Sequence, residues 1–363
     1  VKRPSRASIL DWVRRALGGR GLALLVGGAA ALRPLAMPLA PFDATADLVT
    51  VFAIPAVLAA VLAAACGQAR RRPAAALLWL VVALAQAAPL ARYAGPNPVT
   101  ADPSRPGRIR ILLLNVHERN TRFDDIARLI AAERPDVVGL VEYGHSARAG
   151  LAATGIRDRF PHRRERPGGY RGLALWSRLE PSAFGGPATA RPDGNPYLTM
   201  TFPFAGRERR LWLLHAPNPL LQPDRATPDL LATGERIGRS GGSNLVMGDL
   251  NRTDGSPHFA AFARVIGGRD SRLGFGPQPS WPSWSPYRIA IDHVFVPPDL
   301  AVVARRIGRD VGSDHLPVVI DLAAATASAT SGRQASAGST APANRARSAA
   351  RRNSSSRPAV SGP

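Results

Sequence analysis

Residues 245–251 read Leu-Val-Met-Gly-Asp-Leu-Asn: a short apolar run, a glycine, then a carboxylate and, two residues on, an amide. A brief apolar run bounded by turn residues reads as a buried strand. Residues 245–248 are therefore expected to deliver Asp249 and Asn251 at a strand end. The pattern recurs along the chain. Residues 108–116 carry Asn115 near their end, 137–141 are followed by Glu142, and 211–215 finish on His215. Asp292 lies at the start of 291–296, and Asp314-His315 precede a strand at 318–322. Strand ends and their loops are where a rigid scaffold aims side chains into a common cleft. One polar residue in such a place is unremarkable, but eight of metal-ligand or acid–base type mark a site.

Two more strands are expected at 173–177 and 197–202. Thr121 is placed to cap a helix that buries Ile126, Leu129 and Ile130 and stops before Pro135. Further helices are expected at 228–239 and 256–265. Strands mixed with helices over residues 108–322, with no short internal repeat, point to an α+β layered sandwich.

The flanks have a different chemistry. Residues 48–66 and 74–91 are uncharged apolar runs of nineteen and eighteen residues, each long enough to cross a bilayer as a helix. Residues 21–41 form a third apolar stretch interrupted by Arg33, read as a further span. Six basic residues precede the first span, and Arg70, Arg71 and Arg72 lie between the last two. The intervening loop holds Asp43 and Asp47 and no basic residue. The positive-inside rule then predicts a multi-pass plasma-membrane region over 1–92, with everything after Arg92 extracytoplasmic. Residues 93–107, rich in proline, read as a linker. Residues 323–363, with six arginines and no acidic residue, read as a disordered tail.

This division governs how the charge is interpreted. The 363-residue chain carries 47 Lys+Arg against 26 Asp+Glu, a net +21. Residues 1–107 account for +8, the tail for +6 and 108–322 for only +7. Lys2 is the only lysine, and abundant arginine beside abundant alanine matches GC-rich coding. No basic stripe interleaved with aromatics lies within 108–322, so the charge is not itself an argument for nucleic-acid binding. A single cysteine, Cys66, excludes a disulfide framework and a cysteine-based zinc site.

Taken in order, Asn115 in LLLNV, Glu142 in VVGLVEY, His215 in LLHAPNP, GDLN at 248–251, IDHVF at 291–295 and SDHLP at 313–317 resemble the endonuclease/exonuclease/phosphatase superfamily. GDLN followed by a late SDH is the specific part of the match. With the N-terminal apolar runs, the chain is similar to a membrane-anchored bacterial branch of that group. The resemblance implies a four-layer α/β/β/α sandwich, here preceded by an N-terminal transmembrane helical region. It also implies metal-dependent hydrolysis of phosphate esters, whether nucleic acid, phospholipid or prenyl phosphate.

The chemistry suits those residues. A phosphate ester repels an attacking hydroxide and its leaving oxygen gathers charge, so a hard cation such as Mg²⁺, or alternatively Mn²⁺, helps at both ends. Glu142 is the leading metal ligand, with Asn115 as a carbonyl ligand or orienting group and Asp314 as a further ligand. Asp249 is placed to orient or deprotonate water. Asn251 can donate to a phosphoryl oxygen. His315 is expected as the acid or phosphate contact, oriented by Asp292, and His215 matches a second histidine of the family. His117, Asn120 and Arg171 are weaker candidates for the cleft wall. Trp281 and Trp284 can stack a base, cover a lipid or simply pack. Asp254, His258 and His293 read as structural or solvated. A non-catalytic envelope-binding protein on the same fold is the competing reading, against which none of the expected site residues is missing.

Overall fold

The computed structural model describes residues 91–105, 107–186, 195–286 and 288–326. The expected spans at 21–41, 48–66 and 74–91 fall outside the described residues, apart from Ala91, as does the tail from 327 onward. Among the described residues no helix is long and apolar enough to cross a membrane.

The elements run β1 (Arg108–Asn115), α1 (Phe123–Glu133), β2 (Val137–Val141), α2 (His145–Ala153), β3 (His162–Arg166), β4 (Leu173–Ser177), β5 (Ala183–Gly185) and β6 (Tyr197–Phe204). Then come β7 (Arg207–His215), α3 (Pro223–Arg239), β8 (Ser243–Asp249), α4 (Pro257–Ile266), β9 (Arg269–Asp270), β10 (Asp292–Val296), β11 (Leu300–Ile307) and β12 (Val318–Ala324). They make two six-stranded sheets, ordered β11-β12-β1-β2-β4-β3 and β5-β6-β7-β8-β10-β9.

Side-chain alternation explains why the sheets stack. In β1, Ile109, Ile111 and Leu113 join a cluster with Leu211 and Leu213 of β7 and Leu245 and Met247 of β8, which fills the space between the sheets. Leu112 and Leu114 point the other way and pack with Ile126, Leu129 and Ile130 of α1. On the outside of the second sheet, Trp212, Leu214 and Val246 pack with Leu230 and Ile237 of α3 and Phe262 of α4. Central strands are thus covered on both faces, which is why they read as continuous apolar runs rather than as alternating ones. The result is an α+β two-sheet sandwich with helices on its outer faces.

Three local expectations need correcting. Thr121 does not cap α1; Arg122 occupies the cap position without a side-chain hydrogen bond. Residues beyond 322 are not all tail, because Ala323 and Ala324 extend β12 against β1. Residues 93–107 do not hang free as a linker. Tyr93 is 1% exposed, Asn97 Nδ2 donates to the Val302 carbonyl at 2.6 Å, and Ala101 bridges to Ala325. The segment runs along the domain because an aromatic ring and several backbone groups find partners there.

Tyr93 sits in a buried ionic cluster. The Arg272 guanidinium stacks over its ring at 4.4 Å and donates to the Tyr93 hydroxyl and to Asp270 Oδ2, both at 2.6 Å. Asp254 pairs with Arg272 at 3.5 Å and also with Arg92. Beside this cluster, His293 Nε2 donates to the Arg252 carbonyl at 2.8 Å, while Nδ1 is buried with no hydrogen-bond partner among the described residues. Burial, reinforced by the Arg272 charge, pushes the His293 imidazole down to about 4.

A histidine held neutral in the fold but free to protonate when unfolded favours the native state fully above its unfolded pKa near 6.5. That contribution is lost as pH falls from about 6.5 to about 4. Urea unfolding of wild type and His293→Gln across this window should show the wild type losing on the order of 3 kcal/mol more than the variant. Parallel curves for the two proteins would contradict the assignment.

Candidate active site

Register brings the polar strand ends into one row. In the second sheet His215 of β7 lies opposite Asp249 of β8, and Asp249 lies opposite Asp292 of β10. Each continues the alternation of its own strand: Leu211, Leu213, His215; Leu245, Met247, Asp249; Val296, Val294, Asp292. All three therefore face the gap between the sheets. From the first sheet Asn115 follows Ile109, Ile111 and Leu113 into the same gap, and Glu142 comes directly after β2. His315 stands on the loop entering β12. The site is the polar end of the inter-sheet core.

Asn115 is fully buried, and its Nδ2 donates to Asp249 Oδ2 and Glu142 Oε1, each at 3.0 Å. Its Oδ1 accepts the His117 backbone N–H at 2.9 Å, so the amide turns its nitrogen towards the two carboxylates. Glu142 Oε2 accepts the Glu118 N–H at 3.0 Å. His315 Nδ1 donates to Asp292 Oδ2 at 2.8 Å, and Ser280 donates to the same oxygen. His315 Nε2 lies 3.6 Å from Asp249 Oδ2. His315 thus sits between two buried carboxylates. Burial opposes its charge, but Asp292 and Asp249 outweigh burial and raise it to about 10, so the imidazolium is the resident form. Burial also raises Asp249, with Asp292 adding to the effect against the pull of His315 and His215, to about 6. Burial would raise Asp292 too, yet His315 and its two hydrogen-bond donors hold it down.

His215 has a determined tautomer. Its Nδ1 faces the Tyr170 carbonyl at 2.7 Å and must carry the proton. Nε2 is then the acceptor for Asn251 Nδ2 at 3.3 Å. Asn251 also donates to the Ala216 carbonyl at 2.9 Å, and its backbone N–H donates to Asp249 Oδ1 at 2.9 Å.

These groups open onto a cleft of about 640 Å³. Glu142, His215, Asp249, Asn251, Asp314 and His315 line it, whereas Asn115 and Asp292 stand behind. Asp314 lies apart from the His315 cluster: Oδ2 accepts from Trp281 Nε1 at 3.1 Å, and Oδ1 is 3.2 Å from His117 Nδ1. His117 also reaches Glu142 Oε2 at 3.8 Å, so it stands between the two outer carboxylates. Of the weaker candidates, His117 and Arg171 line the cleft, while Asn120 is buried against the Val311 carbonyl. Trp281 and Trp284 part company, Trp281 packing beside His315 with ring centres 6.4 Å apart and Trp284 lying in solvent. Sequence reasoning missed Ser280, Ser313 and Asn218. Ser313 Oγ donates to the Asn115 carbonyl at 2.6 Å, and Asn218 donates to Asn251 Oδ1 at 3.3 Å. Serine is too common for such roles to be read from a string, but Asn218 within LLHAPNP carried a usable signal.

Two groups of side chains have the chemistry to hold a cation. Asp249, Asp292 and His315 present ligand atoms within 4.8 Å of one another. Glu142 and Asp314 instead present carboxylates to the cleft, and among the described residues their one ionic partner is His117. In a chain so rich in arginine, two cleft carboxylates left without a guanidinium fit a hard divalent ion.

Residues 112–315 match the sequence model of the Endonuclease/Exonuclease/phosphatase family. The chain belongs to that family. No curated protein sequence matches it. Among solved structures it is similar to D. rerio TDP2 complexed with single strand DNA product, with 19% identity, a TM-score of 0.50, and coverage of 60% of this chain and 99% of that one. It is also similar to an endonuclease/exonuclease/phosphatase from Bacteroides vulgatus, with 17% identity, a TM-score of 0.50, and coverage of 60% and 100%. At such identities the likeness is one of fold.

The glycine of the GDLN motif has a steric reason. A Cβ on Gly248 would lie 2.1 Å from the Leu214 carbonyl oxygen, inside the β7–β8 pairing that sets His215 against Asp249. Gly248→Ala is expected to cost roughly 2–4 kcal/mol in urea unfolding and to reduce turnover together with stability. Unchanged stability would show that the strands are not held at this spacing.

Proposed function

We propose that the chain is a divalent-metal-dependent phosphoric ester hydrolase, carried at a plasma membrane by its N-terminal apolar runs with the active site on the extracytoplasmic side. The observation that supports it best is the convergence of His215, Asp249, Asn251 and His315 on one cleft, with Asn115 and Asp292 holding them from behind. Membership of the family makes phosphate-ester hydrolysis the natural chemistry for that arrangement. The single-stranded DNA product in the D. rerio TDP2 complex supports a phosphodiester among the substrates to be tried.

Asp249 is the base. Buried, with one oxygen on Asn115 and the other on the Asn251 N–H, it keeps a proton affinity near neutrality and can orient a water and take its proton. The His315 imidazolium, fixed by Asp292, places a donor and a positive charge beside a phosphoryl oxygen without having to acquire a proton first. Asn251, whose amino group lies on His215 Nε2 and the Ala216 carbonyl, offers a neutral donor to a phosphoryl oxygen once the longer bond to His215 is exchanged for the substrate. Mg²⁺ or Mn²⁺, held by Glu142 and Asp314 beside Asn115, would supply the charge that offsets the phosphoryl and leaving oxygens.

Asp249→Ala and His315→Ala should each lower metal-dependent turnover of bis(p-nitrophenyl) phosphate or a DNA oligonucleotide by about 10³-fold or more. Chelator should abolish the wild-type rate. Titration of Mn²⁺ should show weakened binding in Glu142→Gln and near-normal binding in Asp292→Asn; the reverse would move the cation to the Asp249, Asp292 and His315 group. Wild-type rates in both alanine variants would remove the proposed site. The topology is checked by fusing alkaline phosphatase after Thr326, beyond the end of β12: activity is expected, and a fusion active only when exported by an added signal sequence would overturn the orientation.

A further inference from the structure

The lip of the cleft carries large apolar side chains that the chemistry does not use. Leu220 and Leu221, on the loop between β7 and α3, border it and are 59% and 79% exposed, and Trp284, 79% exposed on the loop before β10, lies three residues beyond Trp281, which borders it too. Val265 and Tyr170 are the other large hydrophobic residues exposed to a comparable degree among the described residues, and Tyr170 also borders the cleft. Apolar side chains gathered at the mouth of a site, when others of their kind are buried, point to an apolar surface outside. Adjacent leucines offer no planar face for stacking a base, which is how single-stranded nucleic acid is usually held. Exposed leucines at the cleft and an exposed tryptophan on a neighbouring loop suit the boundary between water and hydrocarbon.

The path of the chain agrees. Ala101 pairs with Ala325, which lies past the end of β12 remote from His315. Followed backwards, Asn97 meets Val302 near the start of β11, and Tyr93 reaches Arg272. Arg92 pairs with Asp254, three residues beyond Asn251. The segment climbs from the far end of the sandwich to the end that bears the site. The apolar run 74–91 is therefore joined to the domain at the level of the catalytic loop, and Tyr93 is clamped rather than free to swivel.

Resting on the reading of this cleft as a phosphohydrolase at a membrane, we propose that its substrate is a membrane lipid phosphate. Leu220, Leu221 and Trp284 seat the mouth of the cleft in the bilayer surface, and the phosphate enters while its hydrocarbon chain stays in the lipid. Hydrolysis adds a water oxygen to phosphorus and breaks the P–O ester bond. The leaving oxygen takes up a proton, so no further reactant is needed.

The test uses the full chain in vesicles of a phosphate-free diacylglycerol glycolipid containing either a long-chain dialkyl phosphate or a long-chain alkyl monophosphate. The soluble comparisons are bis(p-nitrophenyl) phosphate, p-nitrophenyl phosphate and a single-stranded oligonucleotide. The wild type is expected to prefer a vesicle substrate, and the Leu221→Ser/Trp284→Ser variant to lose about tenfold or more on it while keeping its rate on the soluble aryl ester. Equal vesicle rates in variant and wild type would overturn the proposal, as would a wild type that prefers the oligonucleotide and a variant that loses it. In both cases, soluble-ester turnover that disappears in Asp249→Ala would leave the hydrolase reading standing. A wild type inactive on every substrate with Mg²⁺ or Mn²⁺ would reject that reading itself, and with it the lipid proposal.

Discussion

The hydrogen bond from Asn115 to Asp249 joins the two sheets where the apolar core between them ends. Along the rest of the gap, leucine, isoleucine, valine and methionine side chains hold the sheets together without direction. At this end the same alternation points an amide from one sheet and a carboxylate from the other at each other, 3.0 Å apart. Leaving either buried and unpaired costs about 1–3 kcal/mol, more for the charged group. The pair therefore has to form, and its formation sets the spacing at which every other group works. Because Asn115 is neutral and its amino group has two hydrogens, it can serve Asp249 and Glu142 at once. An aspartate in its place would put a third negative charge against both.

Charge is then divided between two compartments. At the buried floor of the cleft, His315 stands between Asp292 and Asp249, so a resident imidazolium meets two buried carboxylates. Its hydrogen bond goes to Asp292, which takes most of the stabilisation. Asp249 is left with a pKa raised by burial, high enough to accept a proton. Nearer solvent, Glu142 and Asp314 face the cleft on either side of His117, their one ionic partner among the described residues. In the proposed mechanism the first compartment handles protons and the second is suited to a cation.

Much of this was legible in the sequence because the central strands are covered on both faces. Residues 137–141 and 173–177 were readable to the residue, and Asn115, His215 and Asp249, which close the apolar runs of β1, β7 and β8, face the gap between the sheets because strand alternation carries them there. Elements governed by other forces were not legible. His162–Arg166, His-Arg-Arg-Glu-Arg, carries almost no apolar signal, yet pairs along β4 while Glu165 binds Arg157 and the Trp176 indole. Leu300–Ile307 ends in Ala-Arg-Arg-Ile on a bulged strand, where the alternation is broken. The docking of residues 93–101 depends on partners more than 150 residues away, such as Arg272 and Val302, which no local pattern contains. The polar residues of the site were visible for their type, but the tautomer of His215 and the place of His117 between two carboxylates are products of packing.

Backbone conformation adds one more property to this end of the molecule. Among the described residues six that are not glycine have positive φ, and three of them, His117, Glu142 and Asn251, surround the cleft. Asparagine and histidine tolerate that region comparatively well, while a glutamate held there at φ 57° costs on the order of 1 kcal/mol. Glu142 stays because its carboxylate is tied to Asn115 and to the Glu118 N–H. A search for hardier versions of the protein would therefore be drawn to this position, since glycine there relaxes the chain and discards the carboxylate together. Under the proposed function, thermal robustness and cation binding compete at that residue, and the carboxylate is kept at the expense of the first.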